Sequence, residues 1–239
     1  MLNLVCIPHA GAGPSAFWTL ADGVPPWLNL VPADLPGREE RILEPPPASV
    51  DAAADIVVAQ IEDVLDPQAA VAVAGQSSGG LVAYETVRRL VHDGHPPRFL
   101  LVAGTPAPTA PRAVVVSTLP DEELLERLRR RTGVDHPALR HHELRSLVLP
   151  ALRADLAADE AYEPPVDLQT GVPIVAVRGR DDEYVGRDAL AGWADAGSDP
   201  LVLELAGGHM VLLADATTFT GIVGRVREWA RTRADKALA

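Results

Sequence analysis

Five residues, Gly75-Gln76-Ser77-Ser78-Gly79, constrain this chain more than any others. The apolar run Val71–Ala74 leads into them, and a helical pattern from Leu81 to Leu90 follows. A buried strand, a Gly-x-Ser-x-Gly turn and a helix together make a nucleophile elbow. The serine sits at a sharp, strained turn, so that its hydroxyl stands clear of the sheet. Glycines two residues to either side let neighbouring backbone pass where a β-carbon would collide. The next N–H, on Ser78, then points toward negative charge developing on a bound carbonyl. In a chain rich in Gly, Ser and Ala the bare pattern also arises by chance; the strand before it and the helix after it give it meaning.

The rest of the chain repeats that alternation. Short apolar runs recur at Leu2–Pro8, Leu28–Leu35, Phe99–Ala103, Pro173–Arg178 and Pro200–Leu205. Helical patterns fall near 50–65, 79–92, 187–194 and 217–236. Continuous apolar strands alternating with helices predict an α/β fold, with a mostly parallel central sheet and helices on both faces. The length, 239 residues, suits one domain over 1–239. The alternation breaks between Gly104 and Pro165. Thr105–Pro111 is a proline-rich exit, and a helix follows with Asp121, Glu122 and Glu123 in its first turn, where they suit the helix dipole. A second helical pattern runs from about Pro137 to Asp159, its apolar positions being Leu144, Leu147, Val148, Leu152 and Leu156. Pro150 is expected to kink it or divide it. This insertion, about 105–165, resembles a lid; a small helical subdomain without a gating role is the alternative.

Charge and composition exclude several functions. The net charge of −12 opposes binding to nucleic acid or to an anionic membrane. No apolar run approaches the roughly 18 residues of a membrane span. Met1–Pro8 has neither a basic leader nor a cleavage site, so a cytoplasmic location is expected. Cys6 is the one cysteine, which rules out an internal disulfide and a cysteine-rich metal site. His141-His142-Glu143 lacks the spacing of a metal site. The loop Pro8–Gly13 carries glycines, but the chain has no lysine-bearing P-loop and no GxGxxG, which argues against a phosphate cradle.

A serine hydroxyl needs a base, and the base needs an orienting carboxylate. In elbow-type hydrolases these follow in the order Ser, Asp or Glu, His. After Ser77, the run Arg180-Asp181-Asp182-Glu183 lies just past a strand, at the sheet edge where active-site residues collect. The spacing Gly179-x-x-Asp182-x-x-Val185 favours Asp182, with Asp181 as the alternative. His209, in a glycine turn after the last strand, is the candidate base. His9 competes but precedes Ser77; His92, His95, His136, His141 and His142 fall at helix ends or in the insertion. A second oxyanion donor should come from the loop after the first strand, where Ala10 is the candidate beside Ser78. The fold class these residues imply is the α/β-hydrolase fold.

Several stretches resemble one family, the stand-alone type II thioesterases that accompany polyketide synthases and nonribosomal peptide synthetases. They are Ile7-Pro-His-Ala-Gly11 with Trp18 beyond it, Asp34-Leu-Pro-Gly-Arg-Glu-Glu-Arg41, Leu149-Pro-Ala-Leu-Arg-Ala-Asp155, Gly179–Val185 and Gly207-Gly-His-Met210. The resemblance implies hydrolysis of acyl groups from the phosphopantetheine arm of an acyl or peptidyl carrier protein. It implies Ser77, Asp182 and His209 as the triad, Ala10 and Ser78 as oxyanion donors, no metal or dissociable cofactor, and a monomer. Gln76 and Ser78 depart from the family's usual Gly-His-Ser-Met-Gly, which leaves esterase, lactonase or acyltransferase chemistry as an alternative. A non-catalytic binding protein on a hydrolase fold is a third reading. The insertion's arginines at 127, 129, 130, 131, 140, 145 and 153 either meet the acidic carrier or pair with neighbouring acids.

Overall fold

The chain runs from β1 outward to a neighbouring strand and then doubles back across β1, which fixes where a site can form. In the computed structural model, which describes residues 1–112, 114–133 and 137–237, six strands form one sheet in the order β2-β1-β3-β4-β5-β6. They are β1 (Leu2–Ile7), β2 (Leu28–Pro32), β3 (Ala70–Gln76), β4 (Leu100–Ala103), β5 (Pro173–Gly179) and β6 (Ser198–Leu205). Every pairing is parallel, so the sheet is wholly rather than mostly parallel among the described residues. Strand order reverses between β1 and β3, and the crevice beyond their carboxyl ends is where open parallel sheets bind ligands.

Alternate residues of each strand feed two cores. Val5, Val73, Leu100, Val102, Ile174 and Ala176 face helices α1 (Val50–Val64), α2 (Gly79–His92) and α5 (Arg187–Ala191). Leu4, Cys6, Ala72, Ala74, Leu101, Val175 and Val177 face the 3₁₀ segment Pro14–Gly23 and α6 (Ala216–Ala237). Burial on both faces is why the strands read as continuous apolar runs. Ser49 caps α1, its hydroxyl accepting from the Ala52 N–H at 3.1 Å.

The insertion between β4 and β5 contains α3 (Asp121–Thr132), a 3₁₀ turn (Pro137–Arg140) and α4 (His142–Glu160). α4 continues through Pro150 as one helix, contrary to the division considered from sequence. Pro150 and Ser146, the residue whose carbonyl the proline leaves without its intrahelical donor, are both exposed. A third core joins Val116, Leu124, Leu125, Leu139, Leu149 and Leu152, with Ala10, Val148 and Leu156 packed against it. Leu144 and Leu147, expected on the apolar face of α4, are instead exposed, at 46% and 49%. The buried stripe is the one through Val148, Leu149, Leu152 and Leu156.

Candidate active site

Ser77 follows β3 with φ +57°, the left-handed conformation the elbow requires. Such a conformation costs on the order of 1–3 kcal/mol for a side-chain-bearing residue and needs surrounding restraint. The restraint is visible. The Ser77 N–H donates to the Ala103 carbonyl at 2.8 Å, and its carbonyl accepts from Gly80 N–H at 2.9 Å and from the Thr105 hydroxyl at 2.8 Å. A β-carbon on Gly75 would lie 2.2 Å from the Gly79 carbonyl oxygen, and one on Gly79 would lie 2.2 Å from that of Pro8. Both glycines of the pattern are therefore sterically obligatory.

The three triad candidates meet. His209 Nε2 is 2.8 Å from Ser77 Oγ, and His209 Nδ1 is 3.0 Å from Asp182 Oδ2. Asp182 and His209 are both buried, whereas Asp181 and Glu183 are exposed. The other carboxylate oxygen of Asp182 accepts from the N–H groups of Tyr184 at 2.8 Å and Val185 at 3.0 Å. Burial pushes the Asp182 carboxyl up; the hydrogen bond and charge of His209 and those two N–H groups outweigh it, so its pKa lies below the ordinary value. An ionised carboxylate held this way fixes the imidazole's orientation and tautomer. The Tyr184 ring stands edge-on to the imidazole, 5.4 Å between centroids.

Two residues hold this arrangement that the motifs did not assign. Gln76, fully buried, donates from Nε2 to the His209 carbonyl at 2.8 Å and accepts from Leu212 N–H at 3.2 Å. Arg178 donates to the carbonyls of Val185 at 2.9 Å and Asp182 at 3.1 Å, closing the acid loop. Both are polar residues in otherwise apolar strands, a signal the sequence does carry.

Ala10 and Ser78 line the cleft above Ser77, and among the described residues neither N–H is given to another protein acceptor. The cleft has a cavity volume of about 70 Å³ and is roofed by Val116, Leu128, Leu152 and Leu156 of the insertion. Among the described lining residues of the insertion the one carboxylate is Asp159, 3.7 Å from Arg112. Burial raises the Asp159 pKa against the pull of Arg112. A wider groove shares His9, Ala10, Leu128, Leu152 and Met210 with this cleft and is bordered by Arg129. Among the insertion's arginines, Arg127 pairs with Glu123, Arg130 with Glu126, Arg145 with Glu122 and Arg153 with Asp121. His136 and the side chains of Arg131 and His142 lie outside the described residues.

A family model for the thioesterase domain matches residues 3–230. The chain belongs to the thioesterase family. It is 35% identical over 213 residues to thioesterase PikA5 of Streptomyces venezuelae, across 88% of this chain and 75% of that protein. Among solved structures it resembles RedJ, the thioesterase of the prodiginine biosynthetic pathway in Streptomyces coelicolor. The TM-score is 0.85 at 30% identity, covering 94% of this chain and 85% of that one. It also resembles the type II thioesterase BorB from the borrelidin biosynthetic cluster, with TM-score 0.82, 31% identity and 94% and 91% of the two chains covered. The fold is thus that of the α/β-hydrolases, and the enzyme is a thioester hydrolase whose relatives are type II thioesterases. Among the described residues no helix is long and apolar enough to cross a membrane.

Proposed function

We propose that this thioesterase releases acyl groups from the phosphopantetheine arm of an acyl or peptidyl carrier protein, for editing or product release in polyketide or nonribosomal peptide synthesis. Ser77 Oγ attacks the thioester carbonyl as His209 Nε2 takes its proton. The N–H groups of Ala10 and Ser78 stabilise the oxyanion, and Asp182 stabilises the imidazolium. The imidazolium returns the proton to the departing pantetheine sulfur. Water, deprotonated by His209, then attacks the acyl-enzyme and frees the acid. The chemistry draws on no metal or dissociable cofactor, and the enzyme acts as a cytoplasmic monomer.

The unbroken Ser77–His209–Asp182 contact chain, under an apolar roof, carries this reading. Release of free acid from acetyl-, propionyl- and longer acyl-carrier proteins, compared with matched oxyesters, tests it. Wild type should prefer thioesters and Ser77→Ala should be inactive; undiminished hydrolysis by Ser77→Ala would exclude the mechanism. Ser78 favours a second reading. It lines the cleft at the position where the family usually has Met, so transfer of the acyl group to an alcohol or amine is the alternative. Wild type that leaves the thioester intact until such an acceptor is added would select it.

A further inference from the structure

We propose that Arg38 and Asp155 are positioning residues that couple the oxyanion donor of Ala10 to the seating of the lid helix α4. The inference rests on the reading of Ala10 given above.

The contacts lie immediately beyond Ala10. Gly11 N–H donates to Asp155 Oδ2 at 2.8 Å. The same oxygen accepts from Arg38 Nη1 at 2.6 Å, and Oδ1 accepts from Arg38 Nη2 at 3.0 Å. Arg38 Nη1 also reaches the Ala12 carbonyl at 3.3 Å, and its Nε reaches that of Pro36 at 3.2 Å. The loop after β1 is therefore gripped at two consecutive residues, by an N–H to the carboxylate and a carbonyl to the guanidinium. Gly11 has φ +74°, and a β-carbon there would lie 2.9 Å from Leu152 Cβ, so the loop's backbone rests directly on α4. Leu152 and Asp155 are three residues apart and share that face of the helix.

The chemistry of the pair indicates its use. The side chains of Arg38 and Asp155 are only 4% and 15% exposed. A desolvated ion pair adds little stability over well-packed apolar residues. What the bidentate fork supplies is direction. Here it aligns three segments distant in sequence: the loop bearing Ala10, the Leu35-Pro-Gly-Arg38 turn and α4. Restraining Gly11 fixes the peptide plane that follows Ala10, and the plane that carries the Ala10 N–H is held through the His9 carbonyl, which accepts from Ala12 N–H at 3.1 Å. Because Asp155 rides on α4, lifting that helix removes the acceptor of Gly11 N–H and the partner of Arg38 in one motion. The oxyanion site is complete only when the lid helix is seated.

The test uses the full chain as wild type, Asp155→Asn, Arg38→Lys and Ser77→Ala. The substrate is a small acyl-N-acetylcysteamine thioester, which needs no carrier docking. Both positioning variants should lose roughly 10- to 100-fold in kcat, the scale of a displaced catalytic group, with KM nearly unchanged. The decisive readout is the ratio of affinities for an acyl trifluoromethyl ketone and the matched methyl ketone. The first adds Ser77 to form an oxyanion, and the second reports only the pocket. That ratio should fall by the same factor as kcat. Thermal unfolding identifies which variants are folded, and Arg38→Lys carries the test alone where Asp155→Asn does not fold. Unchanged kcat in a folded variant, or a loss shared equally by both ketones, overturns the proposal. A wild type that forms no trifluoromethyl ketone adduct, or an active Ser77→Ala, instead refutes the triad reading on which it rests.

Discussion

Gln76 offers a way to perturb the site without touching a reacting atom. Gln76→Glu preserves the side chain's shape and the acceptor facing Leu212 N–H, but replaces the Nε2 donor that holds the His209 carbonyl. Only a protonated carboxyl can donate there. Full burial and the facing carbonyl both favour the neutral acid, so the folded-state pKa of the new Glu lies above its unfolded value of about 4.3. A raised folded pKa gives a contribution that is whole below the unfolded pKa and lost as pH rises toward the folded one. The variant should therefore match wild type best near pH 4 and fall behind it progressively. A carboxyl still protonated in the fold at pH 7 implies a loss of about 3.7 kcal/mol relative to acid conditions. For a chain of this size that corresponds to a Tm gap of roughly 7–15 °C. Thermal unfolding of both proteins by circular dichroism at half-unit steps from pH 4.5 to 8 measures it. A gap that stays constant with pH would refute the reasoning, because an uncharged defect has no proton linkage.

Four further predictions follow from the geometry. Asp182→Asn should lower kcat by about 10⁴-fold by orienting the wrong tautomer, whereas Asp181→Asn, at an exposed position, should not; the reverse ranking would transfer the role. Because the Asp182 pKa is lowered, its stability contribution exists above the unfolded value and disappears as pH falls through the folded one, so acid unfolding of the Asn variant should be shallower. Tyr84 is buried, donates to the Leu168 carbonyl at 2.7 Å and has its pKa pushed up to about 12. Its contribution is whole below about pH 10 and is lost as pH rises from there. Urea unfolding of Tyr84→Phe at pH 9 and pH 11 should show a smaller alkaline loss than wild type, and an equal loss would sink the assignment. Finally, Arg129 borders the wider groove, so Arg129→Glu should raise KM for acyl-carrier protein and leave KM for small thioesters unchanged. Arg130→Glu, at a residue outside the lining of that groove, should have the smaller effect; equal losses on both substrates would remove Arg129 from any docking role.

Much of the fold is readable because its signals are local. Strands buried on both faces read as nearly continuous apolar runs, and α2 begins and ends where the pattern from Gly79 to His92 says it should. Strand order is not local. Nothing in Leu2–Ile7 announces that it pairs with both β2 and β3, yet that double pairing creates the crevice holding Ser77 and Ala10. Leu144 and Leu147 show the same limit. Helical spacing identifies an apolar stripe, but which stripe is buried depends on where α4 meets the third core.

The site divides along the same line. Ser77, Asp182 and His209 are legible because each follows a strand and their order is fixed by the elbow's chemistry. Asp182 rather than Asp181 is decided by the two N–H groups of the turn that follows, which the spacing to Val185 encodes. The supports are legible only as oddities: a glutamine ending an apolar strand, an arginine in a proline-glycine turn, an aspartate beside the apolar stripe of α4. Arg38 and Asp155 stand 117 residues apart, and Gln76 and Leu212 stand 136 apart. A polar side chain buried that way must be matched by a partner, because an unmatched one costs more than its hydrogen bond returns. That rule lets a sequence announce that such residues have partners while withholding which ones. In this thioesterase the withheld partners are the contacts that tie α4 to the loop after β1 and β3 to the loop bearing His209. The motifs thus specify the candidate reacting groups, and long-range pairs among their neighbours set the geometry in which those groups are held.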